Sequence, residues 1–316
     1  MKKVIMSLAV LAMISTSCAQ EKTTGKEEKA TQEQVIPQKP EQAKISAQDL
    51  QANINKGVQD DFAIKAPKDA EEAIKILEET QNVLRYIAKN KDKKAKAELA
   101  KLIGELEILM TKNPNLALLP VNVTYEIVDA VVDIPTVYQI TGAAQKAMDE
   151  GYYQVAKELL KDLTSEMRIK TTYLPLATYP DAMRLAAAAL DEGKKEEATA
   201  ILLKALNTLA VVEVKLPLPV LRAEEFIKLA AVTMASDDQD KKAVAILFLE
   251  NAEYQLDLAE AMGYGKKDKE FAELHEAIKV LKKAIEEDKE TKEQFDNLQN
   301  KMKNFKERLF FKKEKK

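Results

Sequence analysis

The chain has 316 residues, of which 49 are Lys or Arg and 52 Asp or Glu; the net charge is −3, with one histidine, one cysteine and no tryptophan. This near-neutral balance gives no electrostatic reason to expect a nucleic-acid partner, a lone cysteine excludes intramolecular disulfides, and a lone histidine excludes multi-histidine metal centres. Scarce Gly and Pro among abundant Ala, Leu, Lys and Glu predict a mainly α protein that must be stabilised by packing.

Met1-Lys2-Lys3 followed by the apolar run from Val4 to Ile14 reads as a secretory signal. The run is too short to span a bilayer, which takes about 20 residues. Ser15-Thr16-Ser17-Cys18 sets the cysteine where a lipoprotein signal peptidase leaves a new N-terminus. Residues 1–17 are therefore expected to be removed and Cys18 to carry the lipid that anchors the chain to a membrane of the cell envelope. Cleavage after Ala19, giving a soluble periplasmic protein, is the alternative. Residues 18–66, rich in Lys, Glu, Gln and Thr, are expected to form a disordered tether. Within it, Ser46 can cap a short, transient helix running to Lys56, with Leu50 and Ile54 on one face.

A helical domain is expected over 67–265. Ala70, Ala73, Ile74, Leu77, Leu84, Ile87 and Ala88 trace one helical stripe. Ala97, Leu99, Leu102, Ile103, Leu106 and Leu109 trace another after the polar turn at Asn90, which predicts an antiparallel hairpin. Val121, Val123, Tyr125 and Ile127 then alternate with polar residues, as in a half-buried strand.

The segment from Ala144 to Leu176 returns 42 positions later, from Ala186 to Leu218, with ten of 33 positions identical and no gap. Asp149-Glu150-Gly151 recurs as Asp191-Glu192-Gly193, and Leu174-Pro175-Leu176 as Leu216-Pro217-Leu218. In each unit a helix ends at Asp-Glu-Gly, a second helix follows, then an extended stretch closed by Leu-Pro-Leu, where proline bars helix continuation. The expected fold is a helical-hairpin bundle with two or three short strands pinned against it as one small sheet.

Residues 266–316 are expected to be a helical pair. One helix buries Phe271, Leu274, Ile278, Leu281 and Ile285, and the other Phe295, Leu298, Met302, Phe305 and Leu309. The pair either packs on the main domain or serves as an oligomerisation arm, which leaves a homo-oligomer open. The Lys-rich C-terminal end reads as a solvated helix end, with a membrane-surface anchor as the alternative.

Catalytic signatures are missing. His275 reads as a surface residue beside Glu273 and Glu276, no Ser or Cys has a histidine partner in view, and no Gly-rich phosphate loop occurs. Paired acids such as Glu78-Glu79 and Glu196-Glu197 read as solvated helix faces. No cofactor, metal or enzymatic activity is expected. Tyr152 and Tyr153 after the first Asp-Glu-Gly, and Tyr173 and Tyr179 around Leu174-Pro175-Leu176, are the candidate ligand-binding residues, because tyrosine in an inter-helix groove offers an apolar face and a polar tip. Packing at the edge of the core is the plainer expectation for them.

Tyr173-Leu174-Pro175-Leu176, the stretch from Ala186 to Leu190, Asp191-Glu192-Gly193-Lys194-Lys195-Glu196-Glu197-Ala198 and the Val-rich run to Leu218 resemble the YfdX family. So does Ala147-Met148-Asp149-Glu150-Gly151. The resemblance covers roughly 116–235. It implies a mostly helical, exported bacterial protein of poorly defined biochemistry, associated with acid, heat or envelope stress and without a catalytic signature. Binding of small hydrophobic molecules or client proteins in an inter-helix groove is the function expected of it. Family members are usually soluble in the periplasm, so a lipid on Cys18 would be a departure. In the second unit, Ala189-Leu190-Asp191-Glu192-Gly193-Lys194-Lys195-Glu196-Glu197-Ala198, continuing to Ala205, also resembles the turn and second helix of a tetratricopeptide repeat, which implies a tethered scaffold for a protein partner. The 42-residue period and the extended segments do not fit that repeat of about 34 residues.

Overall fold

The computed structural model describes residues 36–62, 67–112, 114, 116–265 and 269–310. The expected signal peptide, Cys18 and the first part of the tether lie outside the described residues, as does the Lys-rich C-terminal end beyond residue 310.

Among the described residues the order is α1 (Ala47–Phe62), α2 (Pro67–Ala88), α3 (Asp92–Lys112), β1 (Leu118–Val128), α4 (Ile134–Asp149), α5 (Tyr153–Lys161), β2 (Glu166–Pro175), α6 (Tyr179–Asp191), α7 (Lys195–Leu206), β3 (Ala210–Pro217), α8 (Leu218–Met234), α9 (Lys241–Ala261), α10 (Lys269–Glu286) and α11 (Lys292–Phe310). The expected mainly α architecture with a small β-element is present. The three extended segments form one antiparallel sheet in the order β1-β2-β3.

The helix–helix–strand unit occurs three times, as α2–α3–β1, α4–α5–β2 and α6–α7–β3. The first copy lacks Asp-Glu-Gly and turns instead at Asn90, at φ 52°. Gly151 and Gly193 end α4 and α6 at φ 84° and 77°, a left-handed conformation that glycine adopts at no steric cost. Because neighbouring strands are antiparallel, β1 and β3 run the same way, and their preceding hairpins enter from the same end of the sheet. Those hairpins pack together, α3 on α6 and α2 on α7, whereas α4 packs on α9.

Cross-strand partners share a face of the sheet. Met167 stands between Ile127 and Leu216, and Ile169 between Tyr125 and Val214. This face forms a core with Ile54 and Val58 of α1 and with Leu218 and Leu221 of α8. The opposite face carries a charge ladder in which Lys170 reaches Glu126 at 2.9 Å and Arg168 lies 3.5 Å from Glu166. Alternating apolar and charged residues along β2 thus follow its two-sided burial.

Two larger clusters complete the core. One joins α2, α3, α6 and α7 through residues such as Leu99, Leu102, Leu106, Tyr179 and Leu202. The other joins α8, α9, α10 and α11, with Phe271 and Phe305 meeting edge to face at 4.8 Å.

Several expectations need correcting. The span assigned to a disordered tether contains α1, whose Ile54 and Val58 are buried, and an extended approach in which Ala43 is buried and the Glu41 carbonyl accepts from Asn251 Nδ2 at 2.9 Å. Ser46 caps α1 as expected, accepting from the Asp49 amide at 3.0 Å. The helix then continues to Phe62, because Val58 and Phe62 extend the stripe begun by Leu50 and Ile54. Residues 269–310 share one core with α8 and α9, and the chain from Ile36 onward forms one compact unit. Of the two readings of the C-terminal pair, packing on the main domain is the one observed. In the first hairpin the buried stripe is rotated from its expected phase: Ile76 and Val83 are buried, while Ile74 is exposed.

Candidate functional site

A cleft of about 710 Å³ lies between α1, α8, α11 and the end of β3, within the roughly 300–1,000 Å³ typical of small-molecule sites. Its floor is apolar, made by Val58 and Phe62 of α1, Leu216 of β3, Ile227 of α8 and Met302 of α11. Its rim is charged. Lys306 reaches Glu224 at 2.6 Å and Asp61 at 3.5 Å, and Lys228 reaches Glu224 at 3.0 Å. Lys306 and Glu224 are only 15% and 16% exposed, so their attraction is screened less than that of a surface pair. An apolar floor beneath a balanced charged rim suits an amphipathic occupant. No histidine, cysteine or serine lines the cleft.

The four candidate tyrosines do not converge. Tyr152 and Tyr153 are 61% and 69% exposed at the start of α5. Tyr173 lies in β2, paired with Pro120 and Ala210. Tyr179 is 1% exposed in the core and donates to Thr80 Oγ1 at 2.8 Å, with burial pushing its phenol up to about 12. The expected tyrosine groove is therefore not formed, because the Leu-Pro-Leu turn carries Tyr179 inward while the Asp-Glu-Gly turn carries Tyr152 and Tyr153 outward. They are among several exposed apolar side chains of α4 and α5, with Met148, Val155 and Leu160.

Two polar clusters escaped the sequence reading. At the junction of sheet and helices, Arg222 grips both oxygens of Asp129, at 3.4 and 2.5 Å. Buried Ser165 donates to Asp129 at 2.7 Å, and the Ser165 amide donates to the Tyr264 hydroxyl at 3.0 Å. Burial pushes Tyr264 up to about 12. The Ser165 hydroxyl and the Arg222 guanidinium thus both donate to the Asp129 carboxylate.

The second cluster contains His275, which is not the surface residue expected. Its side chain is 24% exposed and faces Asp257 at 3.2 Å and Glu253 at 3.7 Å, both on α9, rather than Glu273 or Glu276 on its own helix. Burial opposes its charge, but the hydrogen bond it donates to Glu253 and the Asp257 carboxylate outweigh it and raise its pKa. Glu253, held by His275 and by Lys282 at 2.7 Å, is lowered to about 2, while burial raises Asp257 to about 6. Glu79, expected on a solvated face, is buried and paired with Lys101 at 2.7 Å. Among the described residues no group of acids, histidine and cysteine is arranged to hold a metal ion, and no helix is long and apolar enough to cross a membrane.

Comparison with known proteins bears on the repeated units. Residues 76–215 match the YfdX protein family. The matched stretch runs from within α2 to within β3 and so includes most of the three helix–helix–strand units; it begins well before the expected boundary near 116 and stops short of α8. A solved structure of Salmonella Typhi YfdX is similar at 17% identity over 45% of this chain and 88% of its own, with a TM-score of 0.30. No curated protein matches. The cleft is lined by α1, β3, α8 and α11, so its walls lie almost wholly outside the YfdX-matched residues.

Proposed function

We propose that this chain is an exported, stress-related protein of the cell envelope, lipid-anchored through Cys18, which binds small amphipathic molecules or client segments and catalyses no reaction. The observation that carries the binding reading is the cleft between α1, α8 and α11, with its apolar floor and paired charged rim. The match to YfdX over 76–215 supports the family association.

A Cβ placed at Gly57 meets no atom within 4 Å, so Gly57→Leu extends into the cleft without disturbing the fold. Titration with anilinonaphthalene sulfonate should show saturable binding that this substitution weakens at least about tenfold; undiminished binding by Gly57→Leu rules out the cleft. Export and anchoring are tested separately by fractionation. Cys18→Ala should leave the protein exported and release it from membranes, and a cytoplasmic unaltered chain would end the envelope reading.

The exposed apolar surface of Met148, Tyr152, Tyr153, Val155 and Leu160 favours a second reading, a tethered helical scaffold that docks a protein partner through α4 and α5. That reading predicts a stoichiometric partner recovered from membranes and lost on Tyr153→Lys with Leu160→Lys. It fails if recovery is the same with and without the substitutions.

A further inference from the structure

The molecule already contains one contact between two copies of its repeated hairpin. The first helix of each unit meets the second helix of the other, α2 on α7 and α6 on α3. Such reciprocity, in which i meets j and j meets i, is the contact pattern of a two-fold axis. On the α6–α7 side the contact buries Met183, Leu190 and Leu202 in one core with α2 and α3. Ion pairs rim it, Lys195 to Asp92 and Lys96 to Asp191, both at 2.9 Å.

The hairpin α4–α5 is built in the same way. Ala144, Ala147 and Ala156 close it on itself, and their counterparts 42 positions on, Ala186, Ala189 and Ala198, are buried in α6–α7. The side chains that α6–α7 turns toward α2–α3 therefore have equivalents that α4–α5 presents on one side. Met148 and Leu160, the equivalents of Leu190 and Leu202, are apolar but exposed. Where the internal contact has Lys194 and Lys195 at its rim, this hairpin has Tyr152 and Tyr153, a residue type enriched at protein–protein interfaces. Residues 134–161 carry three lysines and three acids, so two such faces meet without net repulsion.

We propose that the α4–α5 face binds the α4–α5 face of a second copy of this chain across a two-fold axis. It reproduces between molecules the contact that α2–α3 and α6–α7 make within one, with α4 of each copy on α5 of the other. This rests on the reading of α4 and α5 as a docking surface and names its partner; it does not depend on the cleft. Two helices a side give an interface at the low end of the usual range, below about 1,200 Å² in total, so the dimer exchanges reversibly with monomer.

Sedimentation of the full chain from about 1 to about 200 µM should show monomer passing to dimer, as expected of an interface that small. Tyr153→Lys with Leu160→Lys should weaken association at least about 100-fold, because each substitution enters a two-fold interface twice. Val232→Lys, at an exposed site on α8, should leave it unchanged. A chain that stays monomeric throughout overturns the proposal, as does a dimer that survives the α4–α5 substitutions or is lost equally with Val232→Lys.

Should the two Lys substitutions disturb folding, nitration of the unaltered chain decides. Tyr152 and Tyr153, exposed in the single chain, should react with tetranitromethane in dilute solution and become protected as the dimer forms. Equal reaction at all concentrations overturns the proposal. Protection at every concentration in a monomeric chain would place residues 19–35 of the same molecule on this face and overturn the second copy. A monomeric chain that loses a different membrane-recovered protein on the two Lys substitutions would also overturn it, and would leave the docking reading of α4 and α5 standing.

Discussion

Leu202 is wholly buried in the core shared with α2 and α3, whereas Leu160, its counterpart 42 positions earlier, is 43% exposed. The two residues occupy the same place in the duplicated unit, as do Leu190, 3% exposed, and Met148, 37% exposed. What differs is the neighbour. Antiparallel strand order brings α6–α7 against α2–α3 and leaves α4–α5 on the other side, touching α9 through Ile134 and Val137. Leu202→Ala should therefore cost about 2–5 kcal/mol through lost burial and a residual cavity. Leu160→Ala should change stability by less than about 1 kcal/mol. Urea denaturation of the two variants checks this; equal losses would mean that the α4–α5 face is covered in solution.

The contrast between those leucines also shows what the sequence could and could not reveal. Phe271, Leu274, Ile278, Leu281 and Ile285, with Phe295, Leu298, Met302 and Phe305, are all buried as their spacing predicts, because a single apolar stripe on a charged helix has one way to pack. The three strands were legible for a similar reason, their period of two. By contrast α1 was legible only as a short, transient helix, since a stripe of Leu50, Ile54, Val58 and Phe62 inside a Lys- and Gln-rich stretch becomes stable only against a distant surface such as Met167 and Leu216. The first hairpin and strand were legible, but not as a further copy of the repeated unit, because their turn uses Asn90 where the others use Asp-Glu-Gly. In the candidate site, no local rule pairs Lys306 with Glu224, 82 positions away, or His275 with Asp257 on another helix; helical spacing reports only neighbours on the same helix.

The glycines separate helix propensity from turn geometry. Gly104, inside α3, has open space where a Cβ would stand, so Gly104→Ala should raise stability by about 0.5–1 kcal/mol by restricting the unfolded chain and favouring helix. Gly193 has equally open space, but at φ +77°. Alanine there should lower stability by about 1–2 kcal/mol, the cost of a side chain in the left-handed region. Opposite shifts of the thermal midpoint are expected. Shifts of the same sign would show that space rather than backbone conformation governs the Asp-Glu-Gly turn.

Arg222 and Asp129, 21% and 23% exposed, join the start of α8 to the segment before α4, and Ser165 ties the same carboxylate to β2. Removing one partner leaves the other charge poorly solvated. Arg222→Ala and Asp129→Ala should each cost about 1–3 kcal/mol. The double variant should cost clearly less than their sum, because the pair acts as a unit. Additive losses in a double-mutant cycle would show that the contact contributes nothing of its own.

The His275 cluster makes stability depend on pH, and each member acts in its own window. The raised His275 pKa contributes stability that is fully present below about 6.5 and lost as pH rises through the higher folded value. Glu253, lowered from 4.5 to about 2, contributes stability that is present above 4.5 and lost between 4.5 and 2. Asp257, raised from 3.8 to about 6, works the other way, so its ionisation costs stability as pH climbs through that interval. Lys282 lies 2.7 Å from Glu253, and Glu260 adds a further carboxylate that favours His275 charging. His275→Gln should therefore destabilise the protein more at pH 5.5 than at pH 8, by about 1 kcal/mol after allowing for partial exposure. Chemical denaturation of both proteins at the two pH values measures the difference. A loss that is the same at pH 5.5 and pH 8 would mean that His275 packs between α9 and α10 without gaining its charge from Glu253 and Asp257.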